Sequence, residues 1–280
     1  MDARRHSTVL GAILLVGLAP VVLAPVVLAQ VAPAAVSPTP ERMEAFLLQA
    51  RVSNVRDAGS GVTLSRRATA TDGEITHDVH IQTVDIAQPV FQSGRNTEFN
   101  FKDTYRYNIA GYRVAKLIGL SLVPMSVERV IDGKPAAVTW WVDDVMMDER
   151  ERMKTKDLGP DPARTNKQIQ IMRIWDELIQ NRDRNQGNIL WTRDWTMWLI
   201  DHTRAFRLDS DLRRPDSLLR CDRGLLERLR AITPESLAAA VGNSLTEQEQ
   251  KALLARRDKI VRHYDDRIAR LGEPAVLFTL

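Results

Sequence analysis

The chain has 280 residues, 44% of them hydrophobic and 27% charged, with 39 lysines and arginines against 36 acidic residues. That balance describes one large domain or two small lobes with a sizeable core, and a net charge of only +3, spread along the chain, excludes a nucleic-acid-binding signature. The single cysteine, Cys221, excludes an internal disulfide and a structural thiolate zinc site; it reads as a small buried residue.

Arg4 and Arg5 precede an apolar run from Thr8 to Ala29, and no further charge occurs before Glu41. Residues 1–29 are predicted to be a secretory signal peptide ending at Val27-Leu28-Ala29, or an uncleaved membrane anchor over 8–29. Pro20 and Pro25 weigh against a straight spanning helix. The expected location is secreted or periplasmic, with membrane attachment through the N-terminus as the other reading. Residues 30–40, rich in Ala, Val, Pro and Ser, read as a flexible linker.

The spacing of Met43, Phe46, Leu47 and Val52 predicts a helix over 41–56. From Gly61 to Phe91 apolar and polar residues alternate, and Asp72-Gly73 between two runs predicts a hairpin. Tyr105 to Gly119 reads as a helix capped at Gly119. Strands follow over Leu122–Ile131 and Ala136–Val142, joined at Asp132-Gly133. The lobe boundary is expected near Val142–Glu149, giving an N-terminal lobe of 41–144 and a helical lobe of 145–280. In the latter, Thr165–Gln180, Leu225–Ile232, Pro234–Val241 and Thr246–Leu271 read as helices, the last opened by Thr246 with Glu249 at capping-box spacing. Arg256 to Arg262 is expected to be the solvated face of that last helix.

The one hairpin of the second half carries the chemistry. Asn181-Arg-Asp-Arg-Asn-Gln-Gly-Asn188 precedes the strand Ile189–Trp191; a turn at Arg193-Asp194 leads to Met197–Ile200, and that strand ends in Asp201-His-Thr-Arg-Ala-Phe206. Asp183, Asn188 and Asp201 are thereby brought to one end of a two-stranded unit. Oxygen ligands so placed suit Mg²⁺ or Mn²⁺ together with phosphate oxygens, and Asp183 is placed to orient and deprotonate a hydroxyl. No H-x-x-x-H spacing and no G-x-S-x-G occur, so neither a zinc hydrolase nor a serine-hydrolase elbow is supported.

Asp183-Arg-Asn-Gln-Gly-Asn188 with Leu199-Ile-Asp201-His-Thr-Arg-Ala-Phe206 resembles the atypical kinase group, which includes HipA-type kinases, type II phosphatidylinositol 4-kinases and secretory-pathway kinases. The resemblance implies an α+β, two-lobed protein-kinase-like fold: a small mixed-sheet lobe with one helix, and a mainly helical lobe holding the catalytic hairpin. It implies ATP or another nucleotide with Mg²⁺ or Mn²⁺ as cofactors. Asp183 becomes the catalytic Asp, Asn188 and Asp201 the metal ligands. Tyr105–Gly119 is similar to the helix that flanks the kinase nucleotide site, and Trp140–Asp144, including Trp141, to the hinge beside the base.

The chain departs from the group where a strand lysine and a helix glutamate ordinarily hold the nucleotide phosphates. Gln82 or His80 stands at the lysine position and Asn108 at the glutamate position, with no lysine between Arg67 and Lys102. Lys102, Arg106, Arg66 and Arg67 are the substitute cations to consider. Gly59-Ser60-Gly61 makes a thin glycine loop. Arg204 and Arg207 suit either a phosphate or a nearby carboxylate, and His202 reads as a hydrogen-bonded support. Two functions follow. One is a phosphotransferase acting outside the cytoplasm on an unknown protein, lipid or sugar acceptor. The other is a pseudokinase that binds a ligand or partner at the cell envelope without turnover.

Overall fold

A computed structural model describes residues 38–58, 65–94 and 96–280. The apolar leader, most of the linker and the Gly59-Ser60-Gly61 loop lie outside the described residues.

Helix α1 (Pro40–Gln49) starts with Thr39 accepting the Arg42 amide and buries Phe46 and Leu47. It is shorter than the predicted 41–56. The chain is extended from Arg51 because Val52 and Val55 are β-branched and a neighbouring strand supplies ladder partners. Strands β1 (Arg51–Asp57), β2 (Ser65–Thr71) and β3 (Thr76–Gln82) run antiparallel. The β2–β3 turn falls at Asp72-Gly73, as expected. The Asp72 carboxylate accepts the amides of Glu74 and Ile75, and Gly73 takes φ +96°.

A separate two-stranded ribbon follows, β4 (Asp85–Ser93) and β5 (Asn96–Thr104). The sequence reading assigned no strand to 96–104, since its polar and aromatic residues alternate only weakly. Helix α2 (Arg106–Leu117) then ends near Gly119, whose φ of +61° is the left-handed conformation that glycine permits. Strands β6 (Ser126–Ile131) and β7 (Lys134–Trp140) complete a five-stranded antiparallel sheet in the order β1-β2-β3-β7-β6. Val79 and Ile81 of β3 join Phe46, Leu47 and Val138 in the core of this lobe. The period-2 rule turns His80 and Gln82 to the opposite face.

In the second lobe, β8 (Val145–Asp148) leads into α3 (Glu149–Thr155) and α4 (Pro162–Ile179). Strands β9 (Ile189–Thr192) and β10 (Met197–Leu199) form the anticipated hairpin, with Met197 opposite Trp191, and β8 pairs with β9. Helices α5 (Arg223–Ala231), α6 (Pro234–Val241) and α7 (Glu247–Leu271) close the lobe. Both halves of the Thr246–Glu249 capping box are formed. Trp175, Leu178, Trp191, Leu199, Phe206 and Tyr264 lie in its core. Cys221 is fully buried, and burial pushes its thiol up to about 12.

Arg256 corrects one expectation. It lies on the inner face of α7 and is 0% exposed. Its guanidinium donates to the carbonyls of Leu178, Arg207 and Asp209. The end of α4 and the turn after Phe206 leave carbonyls without backbone partners, and a buried arginine satisfies them.

Candidate active site

A cleft of about 580 Å³ lies between the sheet and the β8–β9–β10 unit. It is bordered by Gln82, Asn108, Trp141, Asn188 and Asp201. Five of the seven residues expected at the site therefore share one cavity. Asp183 stands beside it on the loop before β9, and Lys102 lies elsewhere.

The loop owes its shape to asparagine side chains and one arginine. Asn181 Oδ1 accepts the Asp183 amide at 2.9 Å and Asn185 Oδ1 accepts the Gly187 amide at 2.9 Å. Asn188 Nδ2 donates to the Asp183 carbonyl at 3.4 Å. Arg184 donates to the carbonyls of Asn188 (3.1 Å) and Ile200 (2.7 Å), pairs with Asp176 at 3.1 Å, and lies 3.2 Å from His202 Nε2. It ties the loop to the end of β10, so that Asn188 and Asp201 cannot separate. The Ile200 amide donates to the Asn188 carbonyl at 3.1 Å, closing the hairpin. Asp201 follows with φ +54°, a left-handed conformation that aspartate tolerates better than most residues. There the chain leaves the strand and the carboxylate faces the cleft.

His202 is the support anticipated for it. Burial, with Arg184 second, holds its imidazole well below the usual histidine range, so it stays neutral. Trp175 Nε1 donates to its Nε2 at 3.2 Å. Its amide donates to Asn108 Oδ1 at 2.8 Å, and Gly111 of α2 gives its ring the space that a Cβ would fill, at 3.2 Å. Asn108 therefore fastens α2 to the residue beside Asp201.

Gln82 lines the cleft, but its Oε1 turns back to accept the amides of Thr83 (3.0 Å) and Val84 (3.3 Å). Its carbonyl thus caps the end of β3. His80, also on the cleft, is bonded to Ser65 of β2. Of the substitute cations, Arg66 pairs with Asp132 and Arg106 lies 3.9 Å from Asp85. Arg67 alone of the four borders the cleft. Its guanidinium stacks 4.1 Å over the Trp141 ring and pairs with Asp78 at 2.6 Å. Lys102 Nζ is bonded to Glu249 Oε1 at 2.5 Å, and both face a different cavity of about 620 Å³.

The residue that sequence reading missed is Asp103. It is 6% exposed, and burial raises its carboxyl, with the charges of Asp201 and Asp183 adding to the rise against Thr203 and Arg204. Its Oδ1 has no hydrogen-bond partner among the described residues. The signal in sequence was faint: one acid ahead of a helix, on a strand that was not recognised. Arg204 and Arg207 pair with Glu98 of β5, and Arg204 also lies 3.5 Å from Asp183. These are the carboxylate contacts offered as one of their two readings.

The donor set is suited to Mg²⁺ or Mn²⁺. Asp201 and the Asn188 amide, with the buried Asp103 carboxyl near enough to feel the charge of Asp201, supply a few hard oxygens and leave positions for phosphate oxygens. Among the described residues no three His, Cys, Asp or Glu side chains are grouped so as to hold a metal ion by themselves.

No protein-family model and no curated protein sequence matches the chain. Solved structures do match. The structure of hydra Fam20 with sugar aligns with TM-score 0.63 at 13% identity, over 85% of this chain and 92% of that one. The Golgi casein kinase aligns with TM-score 0.60 at 14% identity, over 85% and 76%, and its Mn/ADP-bound form equally well over 85% and 78%. At such identities the likeness establishes architecture alone, and the architecture it establishes is that of an atypical protein-kinase-like fold.

Proposed function

We propose that this protein is a metal- and nucleotide-dependent phosphotransferase acting outside the cytoplasm. The observation that carries the reading is the convergence of Asn188 and Asp201 at one end of a cleft, with Asp183 on the adjoining loop and the buried carboxyl of Asp103 close enough to feel the charges of Asp201 and Asp183. Asp201 and Asn188, with Asp103 behind them, would hold a divalent metal, which when bound would supply charge to offset the phosphate oxygens. Asp183 accepts the proton of the acceptor hydroxyl, and Arg204 at 3.5 Å steadies its carboxylate. Gln82, whose carbonyl is spent on its own strand, contributes no charge to the phosphates. The Mn/ADP complex of the Golgi casein kinase is consistent with this cofactor pair. The apolar leader supports secretion or membrane attachment.

One observation favours the second reading, binding without turnover: the strand position that holds phosphates in kinases carries a glutamine folded back on its own backbone. Calorimetric titration of the full chain with ATP or GTP, with and without Mn²⁺, tests the shared part. Metal-dependent binding lost in Asp201→Ala is expected; absence of binding of either nucleotide overturns the phosphotransferase reading. Phosphate transfer or nucleotide hydrolysis by the wild type and not by Asp183→Ala then distinguishes the enzyme from the pseudokinase.

A further inference from the structure

We propose that His80 takes the place of the missing strand lysine: it grips the phosphates of the bound nucleotide as an imidazolium, so that the nucleotide binds together with a proton. This rests on the nucleotide reading above and specifies how the phosphates are held.

Strand β3 lends two side chains to the cleft, His80 and Gln82. The Gln82 carbonyl is already engaged by the Thr83 and Val84 amides, which leaves His80. The strand register shows which end of the cleft its ring serves. Arg67 of β2 lies opposite His80, and Ser65 lies opposite Gln82. The Arg67 side chain leans toward the hinge, where it pairs with Asp78 at 2.6 Å and covers the Trp141 ring at 4.1 Å. The His80 ring leans the other way: its Nε2 is bonded to the Ser65 hydroxyl, on the Gln82 side. Asn108, which also lines the cleft, holds the His202 amide beside Asp201. Asp201 is the charge that the His80 ring feels. The guanidinium therefore belongs to the hinge end and the imidazole to the Asp201 end, where phosphates would lie.

The chemistry of the Ser65–His80 pair suits the task. A neutral ring accepts the Ser65 proton at Nε2. An imidazolium donates from both nitrogens, so Ser65 accepts from Nε2, and Nδ1, which makes no hydrogen bond among the described residues, is left for a phosphate oxygen. The Ser65 hydroxyl proton is then released for a second one. Before a ligand arrives, little keeps a proton on the ring. Burial lowers its affinity for one, and the opposing pull of Asp201 would be cancelled by a metal on that carboxylate. The charges on the other elements around it are already matched: Arg67 of β2 pairs with Asp78 of β3, and Asp78 also takes Arg56 of β1 at 3.1 Å. His202 is neutral, and β6, β7 and α2 face the cleft here with Ser126, Thr139 and Asn108, none of which titrates. Phosphates are the anions that would bring the proton onto His80. A group whose proton affinity rises on binding strengthens binding at low pH, and that gain is lost as the pH rises.

The test is calorimetric titration of the full chain with ATP and with GTP, in two buffers of different ionisation enthalpy, from about pH 6 to about pH 8. Mn²⁺ is saturating in cell and syringe, so protons displaced by the metal itself do not enter. The wild type is expected to take up a proton with the nucleotide, and its affinity to fall as pH rises, by up to about tenfold per pH unit. His80→Gln is expected to bind about tenfold more weakly at the low end of the range, with no proton uptake. His80→Lys, which carries its charge without a proton from solution, is expected to bind more tightly than His80→Gln with a flat pH profile. Nucleotide binding by the wild type without proton uptake overturns the proposal and leaves the nucleotide reading intact. So does uptake that survives in His80→Gln, which would assign the proton to another group. The buffer comparison uses unaltered protein, so a misfolded variant does not blunt it. Failure of both nucleotides to bind removes the nucleotide reading itself, and this proposal with it.

Discussion

The side-chain carbonyl of Asn108 accepts the backbone amide of His202 at 2.8 Å, across two segments 94 residues apart. In kinases the matching helix position serves a lysine; here it serves the backbone beside Asp201. The α2 helix is coupled to the Asp201 end of the cleft by a neutral hydrogen bond.

Asn108→Ala is therefore expected to leave a buried amide unpaired, at a cost of about 1–3 kcal/mol in chemical denaturation. It is also expected to weaken Mn²⁺-dependent nucleotide binding, since Asp201 precedes the freed residue. A variant with wild-type stability and affinity would show that the contact is incidental.

Arg256 satisfies three carbonyls from inside the core. Arg256→Met conserves most of the volume and removes the donors, so a loss of about 3 kcal/mol or more is expected from urea denaturation. Arg262, exposed on the same helix, is the control: Arg262→Met is expected to fall within about 0.5 kcal/mol of wild type.

Lys102 lines the second cavity and not the cleft. Its partner Glu249 is buried, accepts the Tyr107 hydroxyl at 2.6 Å and completes the α7 capping box. Lys102→Met is expected to destabilise the fold by about 1–2 kcal/mol, discounted for the partial exposure of the lysine. Nucleotide affinity is expected to stay within twofold of wild type, because the lysine faces the second cavity. A tenfold loss of affinity in titration would place it at the phosphates after all.

Asp72 provides a pH signature. Arg42, first, and the Ile75 amide hold its carboxyl down to about 2. A carboxylate with a depressed folded-state pKa stabilises above its unfolded value near 4, and that contribution is lost as pH falls from about 4 to about 2. Asp72→Asn is expected to be less stable than wild type at pH 7 and to converge with it near pH 2. Parallel stability curves across that window would show that the Arg42 bridge adds nothing.

How much was legible differs by element. Asp183, Asn188 and Asp201 could be placed together from sequence because a short hairpin fixes their separation: a strand, a tight turn and a second strand leave little choice of register. The capping box at Thr246 and the turn at Asp72-Gly73 are local in the same sense. Asp103 was not legible, because its burial and its closeness to the charge of Asp201, 98 residues on, are encoded in no local pattern. Arg256 was misread because a run of charges looks solvated until unpaired carbonyls are found behind it.

Short-range spacing and residue type sufficed for the hairpin that gathers Asn188 and Asp201, for the main helices and for the absence of a lysine on the third strand. Tertiary structure decided which cation meets which cavity. Lys102 and Arg67 are equivalent as letters in a chain, but a buried Glu249 draws one to the far cavity, while Asp78 and Trp141 fix the other over the cleft. Electrostatic partnership is set by distance in space, and distance in space is what folding supplies.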